Sequence, residues 1–300
     1  MTRYNQRSVL VTGCATGIGR ACVEHLAHQG YNVFAGVRCE TDVHEIERAH
    51  RGAVIPLLLD VTEPASVAAA RERLETSLSL QGLDALVNNA GIAVAGPLEY
   101  LAEKDLLRQF SVNVFGAMAM TRALLPLLRR ARGRVVNVGS IAGRVTFPFL
   151  GPYSASKAAL ASLTATLRLE LRSMGVQVCL VEPGSIATPI WDKSTRSALA
   201  LLEGLPREAH KTYGAQMAAT LSSSVLAASI GSTPAAVARA VAHALSSRRM
   251  KGRYTVGWDA RLLILARRIL PEHLWESLLL GLAYRGRRPG GVAETDGSVL

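Results

Sequence analysis

Short apolar runs alternate with longer stretches of helical period along most of the chain. The runs are Ser8–Thr12, Asn32–Val37, Val54–Leu59, Ala85–Val87, Arg134–Val138 and Val176–Val181, and Arg253–Val256 closes the series. Between them the spacing predicts helices over Gly17–Gln29, Pro64–Leu78, Glu103–Arg130, Tyr153–Met174 and Pro234–Ser246. Nearly continuous apolar runs suit strands covered on both faces. Strands alternating with helices build βαβ units with right-handed crossovers. The expected fold is a single α/β domain over 1–257 with a doubly wound parallel sheet. Ligands in such sheets bind beyond the carboxyl ends of the strands, so the loops after strands are where chemistry is to be sought.

Two segments fall outside that alternation. A long insertion occupies 186–232; it carries Ile190, Trp191, Leu199, Leu201, Leu202, Leu205, Tyr213, Met217 and Leu221. After the last strand, Trp258–Leu270 and Glu272–Tyr284 predict two helices about Pro271, a C-terminal extension over 258–285. Leu262, Leu263, Leu265, Ile269, Leu274, Trp275, Leu278, Leu279 and Leu282 form its apolar side, with Arg261, Arg267, Arg268 and Arg285 alongside. Residues 286–300 are expected to be a disordered tail.

Composition narrows the classes. The chain has 300 residues, 49% hydrophobic and 5% aromatic, enough for a large core. The net charge of +11 comes from arginines spread over many helices, with clusters at Arg129–Arg132, Arg248–Lys251 and Arg285–Arg288. No cluster is interleaved with aromatics as a nucleic-acid platform would be, so solvated helix faces are expected and nucleic acid is not. Cys14, Cys22, Cys39 and Cys179 show neither CxxC nor metal spacing. They read as reduced thiols in a cytoplasmic protein without a metal site. A polar start through Arg7 is unlike a secretory leader, and no stretch has the roughly 18 uninterrupted apolar residues of a membrane span.

After the first strand the chain reads Thr12-Gly13-Cys14-Ala15-Thr16-Gly17-Ile18-Gly19. Glycines there permit positive φ and close approach of backbone. The following helix N-terminus offers free amides and a positive dipole to a pyrophosphate. The spacing is TGxxxGxG. Further on come Asn88-Asn89-Ala90-Gly91, Asn113 in a long helix, Ser140 after a strand, Tyr153-Ser-Ala-Ser-Lys157, and Pro183-Gly184 with Thr188. This ordered set resembles the short-chain dehydrogenase/reductase family, over about 5–257. The extension and the TGCxxGIG form of the loop resemble its 17β-hydroxysteroid and retinol dehydrogenase-like members.

The resemblance implies a Rossmann-type fold and an oxidoreductase moving a hydride between a nicotinamide cofactor and an alcohol or ketone. It would seat the cofactor on Gly13, Thr16, Gly17, Ile18 and Gly19. Asp60 and Val61 would meet the adenine, and Asn89, Ala90 and Gly91 would lie along the central strand end. Pro183, Gly184, Ile186 and Thr188 would hold the nicotinamide. Tyr153 would exchange the proton, with Lys157 one helical turn on lowering its pKa and binding the ribose. A phenol with pKa about 10 is a poor base, and a neighbouring ammonium helps its anion. Ser140 would polarise the carbonyl, and Asn113 would anchor a water relay to Lys157. Ser140, Tyr153, Ile190 and Trp191 would face the substrate.

Cofactor choice follows from the second strand. It ends Val37-Arg38, so no carboxylate stands ready for a ribose 2′-hydroxyl and a guanidinium is placed for a 2′-phosphate. NADP(H) is expected over NAD(H). The resemblance implies that the insertion at 186–232 is a lid over the substrate, and its apolar residues then point to a lipophilic alcohol or ketone, steroid- or retinoid-like. Two other readings stand beside it: a 3-oxoacyl or hydroxyacyl reductase, and a non-enzymatic NADP-sensing protein. The C-terminal helices could wall the pocket, touch a membrane surface or join a homo-oligomer.

Overall fold

Among the described residues, seven parallel strands form one sheet in the order β3-β2-β1-β4-β5-β6-β7. They are β1 Ser8–Thr12, β2 Asn32–Val37, β3 Val54–Leu58, β4 Ala85–Asn88, β5 Arg134–Val138, β6 Gln177–Pro183 and β7 Arg253–Val256. Around them lie α1 Gly17–His28, α2 Glu40–His50, α3 Pro64–Leu78, α4 Glu103–Phe110, α5 Ala117–Ala131, α6 Gly151–Glu170 and α9 Pro234–Ser246. The computed structural model describes residues 6–50 and 52–284. The expectations for Arg285, the Arg285–Arg288 cluster and 286–300 lie outside those residues.

Alternate residues of each strand feed opposite layers, as the pleat requires. Val9 and Val11 of β1 join Val33, Ala35, Leu26 and Val241 on the layer of α1 and α9. Leu10 joins Phe34, Leu86, Leu74, Met120 and Leu124 on the layer of α3 and α5. Double coverage is why the strands read as continuous apolar runs.

Helix α2 was not expected. Ile46 is its one buried residue, and Val43 and Ala49 are its other apolar ones, so its mostly polar sequence reads as a connection. The long helix over 103–130 is interrupted: α4 passes into a π-helical turn, Ser111–Gly116, before α5. Such turns shift side chains off the regular helical face. Helix α6 stops at Glu170 and a 3₁₀ turn at Arg172–Met174 follows it. The run Glu103–Ala131 is, among the described residues, long and apolar enough to cross a membrane, and 50% of its most apolar window is buried. Met120, Leu124, Leu127 and Leu128 bury against the sheet, which makes it a core helix of this fold.

The insertion forms α7 Pro189–Glu203 and α8 Arg207–Ile230. Ala198, Met217 and Leu221 pack with Leu150, Phe147 and Phe149 in a small core of their own. Tyr213 donates to the Glu99 carboxylate at 2.8 Å and meets the edge of Tyr100. The extension forms α10 Trp258–Ile269 and α11 Glu272–Ala283. Ala260, Trp275 and Leu279 bury against Ile141 and Val145, close to the carboxyl end of β5.

Candidate active site

Strand β1 ends in a loop built on backbone. Gly13 has φ +70°, and a Cβ there would lie 2.8 Å from the Ala90 Cα. A Cβ on Gly19 would overlap the Gly13 carbonyl and lie 2.5 Å from the Asn89 amide nitrogen. Both positions therefore exclude side chains for steric reasons, and the N-terminus of α1 stays open. Thr16 caps α1 in extended backbone without a side-chain bond. Ile18 packs partly into the core.

Asn89 ties this loop to β4. Its amide donates to the Thr12 and Gly13 carbonyls at 2.9 and 3.0 Å. The Thr12 hydroxyl accepts from the Asn89 and Ala90 amides, both at 3.0 Å. Sequence reasoning missed Thr12 in this role; its signal is a hydroxyl at the last position of a strand that runs into glycine.

Asp60 makes an Asx turn, with Oδ1 accepting from the Thr62 amide at 2.9 Å and its hydroxyl at 2.7 Å. Partial burial pushes its carboxyl up, but the Thr62 bonds and the Arg38 charge outweigh this and leave it below the ordinary value. Arg38 itself is exposed at the end of β2. Val61 is buried against Gly116 of the π-helical turn.

The remaining residues converge from β5, α6 and the π turn. Ser140 follows β5 in extended backbone, and its hydroxyl accepts from the Ala142 amide at 3.1 Å. Tyr153 and Lys157 lie on α6, both buried. Burial raises the Tyr153 phenol above its ordinary value, and a hydrogen bond with Ser140 opposes that. Burial brings Lys157 down to about 8. Its ammonium donates to the Val138 carbonyl at 2.9 Å and sits 5.7 Å from the Tyr153 ring centre. The expectation of a phenol depressed by Lys157 is thus reversed here. Desolvation acts on both groups and favours the neutral phenol, which is a proton donor at neutral pH.

Asn113 is buried, and its side chain is fully occupied. Its Oδ1 accepts from the Ile92 amide at 2.9 Å; its Nδ2 donates to the Ile92 carbonyl and the Ser156 hydroxyl, both at 3.0 Å. The amide braces the chain at Gly91–Ile92, where a Cβ on Gly91 would lie 3.3 Å from the Asn113 Oδ1 and 3.7 Å from the Lys157 Nζ. Gln109, not foreseen, braces the same loop through Val94 and Ile92.

Beside this cluster opens a cavity of about 410 Å³. Ser140, Phe147 and Leu150 line one side, Thr220, Ser223, Ser224, Ala227 and Ile230 of α8 another, and Leu262, Leu263, Leu278 and Leu282 of the extension a third. Trp191 lines it and meets the edge of Tyr153 at 6.0 Å; Ile190 is not among its lining residues. Of the apolar insertion residues, Met217, Leu221 and Leu202 fasten the lid to the body, while Leu199 is exposed. The loop 183–188 borders the cavity through Gly184 and Ser185. Pro183 and Ile186 are buried, and Thr188 caps α7.

Comparison with known proteins places this architecture. Residues 7–198 match the short chain dehydrogenase family, and the chain belongs to it. It is an oxidoreductase of that family. Retinol dehydrogenase 5 of Mus musculus is 35% identical over 277 residues, covering 90% of this chain and 87% of the relative. A short-chain dehydrogenase/reductase from Burkholderia phymatum, solved in complex with NAD, is 27% identical with a TM-score of 0.75, covering 93% of this chain and 96% of that one. A short chain dehydrogenase from Burkholderia cenocepacia J2315, solved with NADP, is 26% identical with a TM-score of 0.69, covering 93% and 99%.

Proposed function

We propose that the protein interconverts a lipophilic alcohol and its carbonyl compound with NADP(H). The observation that carries this is a largely apolar cavity lined by Ser140 and by Trp191, whose ring meets the edge of the buried Tyr153 at 6.0 Å. The side-chain-free loop at Gly13 and Gly19 and the open end of α1 suit a pyrophosphate. Arg38 suits a 2′-phosphate; solved relatives carry NAD or NADP, so the preference rests on this residue. When bound, NADPH supplies the hydride.

In reduction, Ser140 holds and polarises the substrate oxygen, and Tyr153 delivers its proton to that oxygen. In oxidation the same phenol takes the proton back. Lys157 binds the ribose and supports the phenolate as it forms, and Thr188 holds the carboxamide. A relative named for retinol, a lipophilic alcohol, agrees with the apolar wall. The exposed Leu265 and Ile269, beside Arg261, Arg267 and Arg268, support peripheral contact with an anionic lipid surface.

The test is Tyr153→Phe. Turnover with NADPH and a steroid-sized ketone should fall about 10²-fold or more, since acid–base groups contribute on that scale. NADPH binding, followed by its fluorescence, should persist. Activity above a tenth of wild type would overturn the assignment.

A further inference from the structure

Helix α10 begins immediately beyond β7, and Asp259 in its first turn points its carboxylate back at the 183–188 loop. Its Oδ2 accepts from the Ser185 amide at 2.7 Å. Its Oδ1 is buried without a donor. The carboxylate is wedged among glycines: a Cβ on Gly184 would lie 2.5 Å from Oδ2 and 2.7 Å from Cγ. Gly257, with φ +107°, makes the turn that brings the helix start beneath the loop. The rest of the loop is held by backbone alone, Gly184 donating to Val256 at 2.8 Å and Ser185 accepting from Ser232 at 2.9 Å. Among the described residues, Asp259 is the side chain that bonds this loop's backbone.

A buried carboxylate oxygen without a partner is costly and calls for an explanation. The first turn of a helix offsets part of that cost. Trp258, Leu262, Leu263 and Ala266 of the same helix line the cavity, so one element touches both the substrate space and the loop. We infer that Asp259 is a positioning residue: it fixes the 183–188 backbone for the nicotinamide end of the cofactor and so couples the C-terminal helices to cofactor binding. The inference rests on the function proposed above for that loop.

The test is a fluorescence titration of NADPH, without substrate, on Asp259→Ala and Asp259→Asn. The Ala variant should raise Kd about tenfold, the scale of leaving the Ser185 amide without its acceptor. Asn keeps an acceptor for the Ser185 amide and should stay within about threefold. Exchange of the Ser185 amide should accelerate in Ala and stay slow in Asn. Glu272→Ala, which breaks the Arg267–Glu272 pair between α10 and α11, should leave Kd unchanged, separating loop positioning from general loosening of the tail. If Asp259→Ala does not fold, Asp259→Ser, too short to reach Ser185, should show the same tenfold loss.

Unchanged Kd in Ala or Ser overturns the inference. An Asn variant as weak as Ala assigns the effect to charge and also overturns it. A wild-type protein that binds neither NADPH nor NADH overturns the proposed function itself, and that result is visible before any variant is made.

Discussion

An ammonium enclosed on all sides must find acceptors or shed its proton. Lys157 does part of each, donating to Val138 while burial brings it to about 8. Its folded value lies below its unfolded value, so the unfolded chain binds more protons between about 8 and 10.5. Stability from this group is therefore lowest below pH 8 and recovers as pH rises through that window. Cys22 and Cys179, raised from 9.0 to about 12, act in the opposite sense above pH 9, so the comparison must be with Lys157→Met. Melting curves should show wild type gaining on that variant from pH 7.5 to 9.5; a constant difference would contradict the burial effect. At the end of β2, Arg38→Ala should raise KM for NADPH about tenfold and leave NADH almost unchanged. A wild type that already prefers NADH would refute that reading. The Tyr153–Lys157 spacing on one helix face was legible in the sequence. The Val138 carbonyl beneath Lys157 was not, because a backbone acceptor leaves no mark on residue identity.

Elements were legible in proportion to their burial. Strands β1 and β5, covered on both faces, stand out as Val9–Val11 and Val135–Val138. Helix α2, with Ile46 alone inside, is mostly polar and reads as a connection. The π turn at 111–116 was also hidden, since a single inserted residue does not disturb a 3.6-residue pattern over so short a stretch. The cavity was legible only in pieces, at Ser140, Trp191 and the extension helices, because its wall is assembled from segments far apart in the chain; Thr220, Ser223 and Ser224 of α8 were not foreseen in it. Both extension helices were legible, and their placement makes a prediction. Trp275 buries against Ile141 and Val145, so Trp275→Ala should cost about 3–5 kcal/mol within that small core. Hydrogen exchange should speed up over α10 and α11 while β1 and β4 stay protected. Equal acceleration in the sheet would show that the tail belongs to the main cooperative unit.

At the scale of the whole molecule, the net charge of +11 and the outer apolar stripe act together. Leu265 is 53% exposed and Ile269 67%, both off the cavity wall. Co-sedimentation with anionic vesicles should fall in the double variant Leu265→Glu/Ile269→Glu and weaken with salt in wild type. Turnover of a soluble ketone should stay unchanged in that variant. Vesicle binding indifferent to both changes would remove the lipid surface from the proposal. The cavity wall has a different bearing. The proposed proton-handling residues fall between Asn113 and Lys157, while most of the wall comes from Gly184 onward. Substitutions along that later stretch can reshape the wall while leaving the proposed proton-handling residues untouched. Asp259 limits that freedom together with Gly184, Ile186 and Thr188, for at these positions change in the later stretch would reach the cofactor.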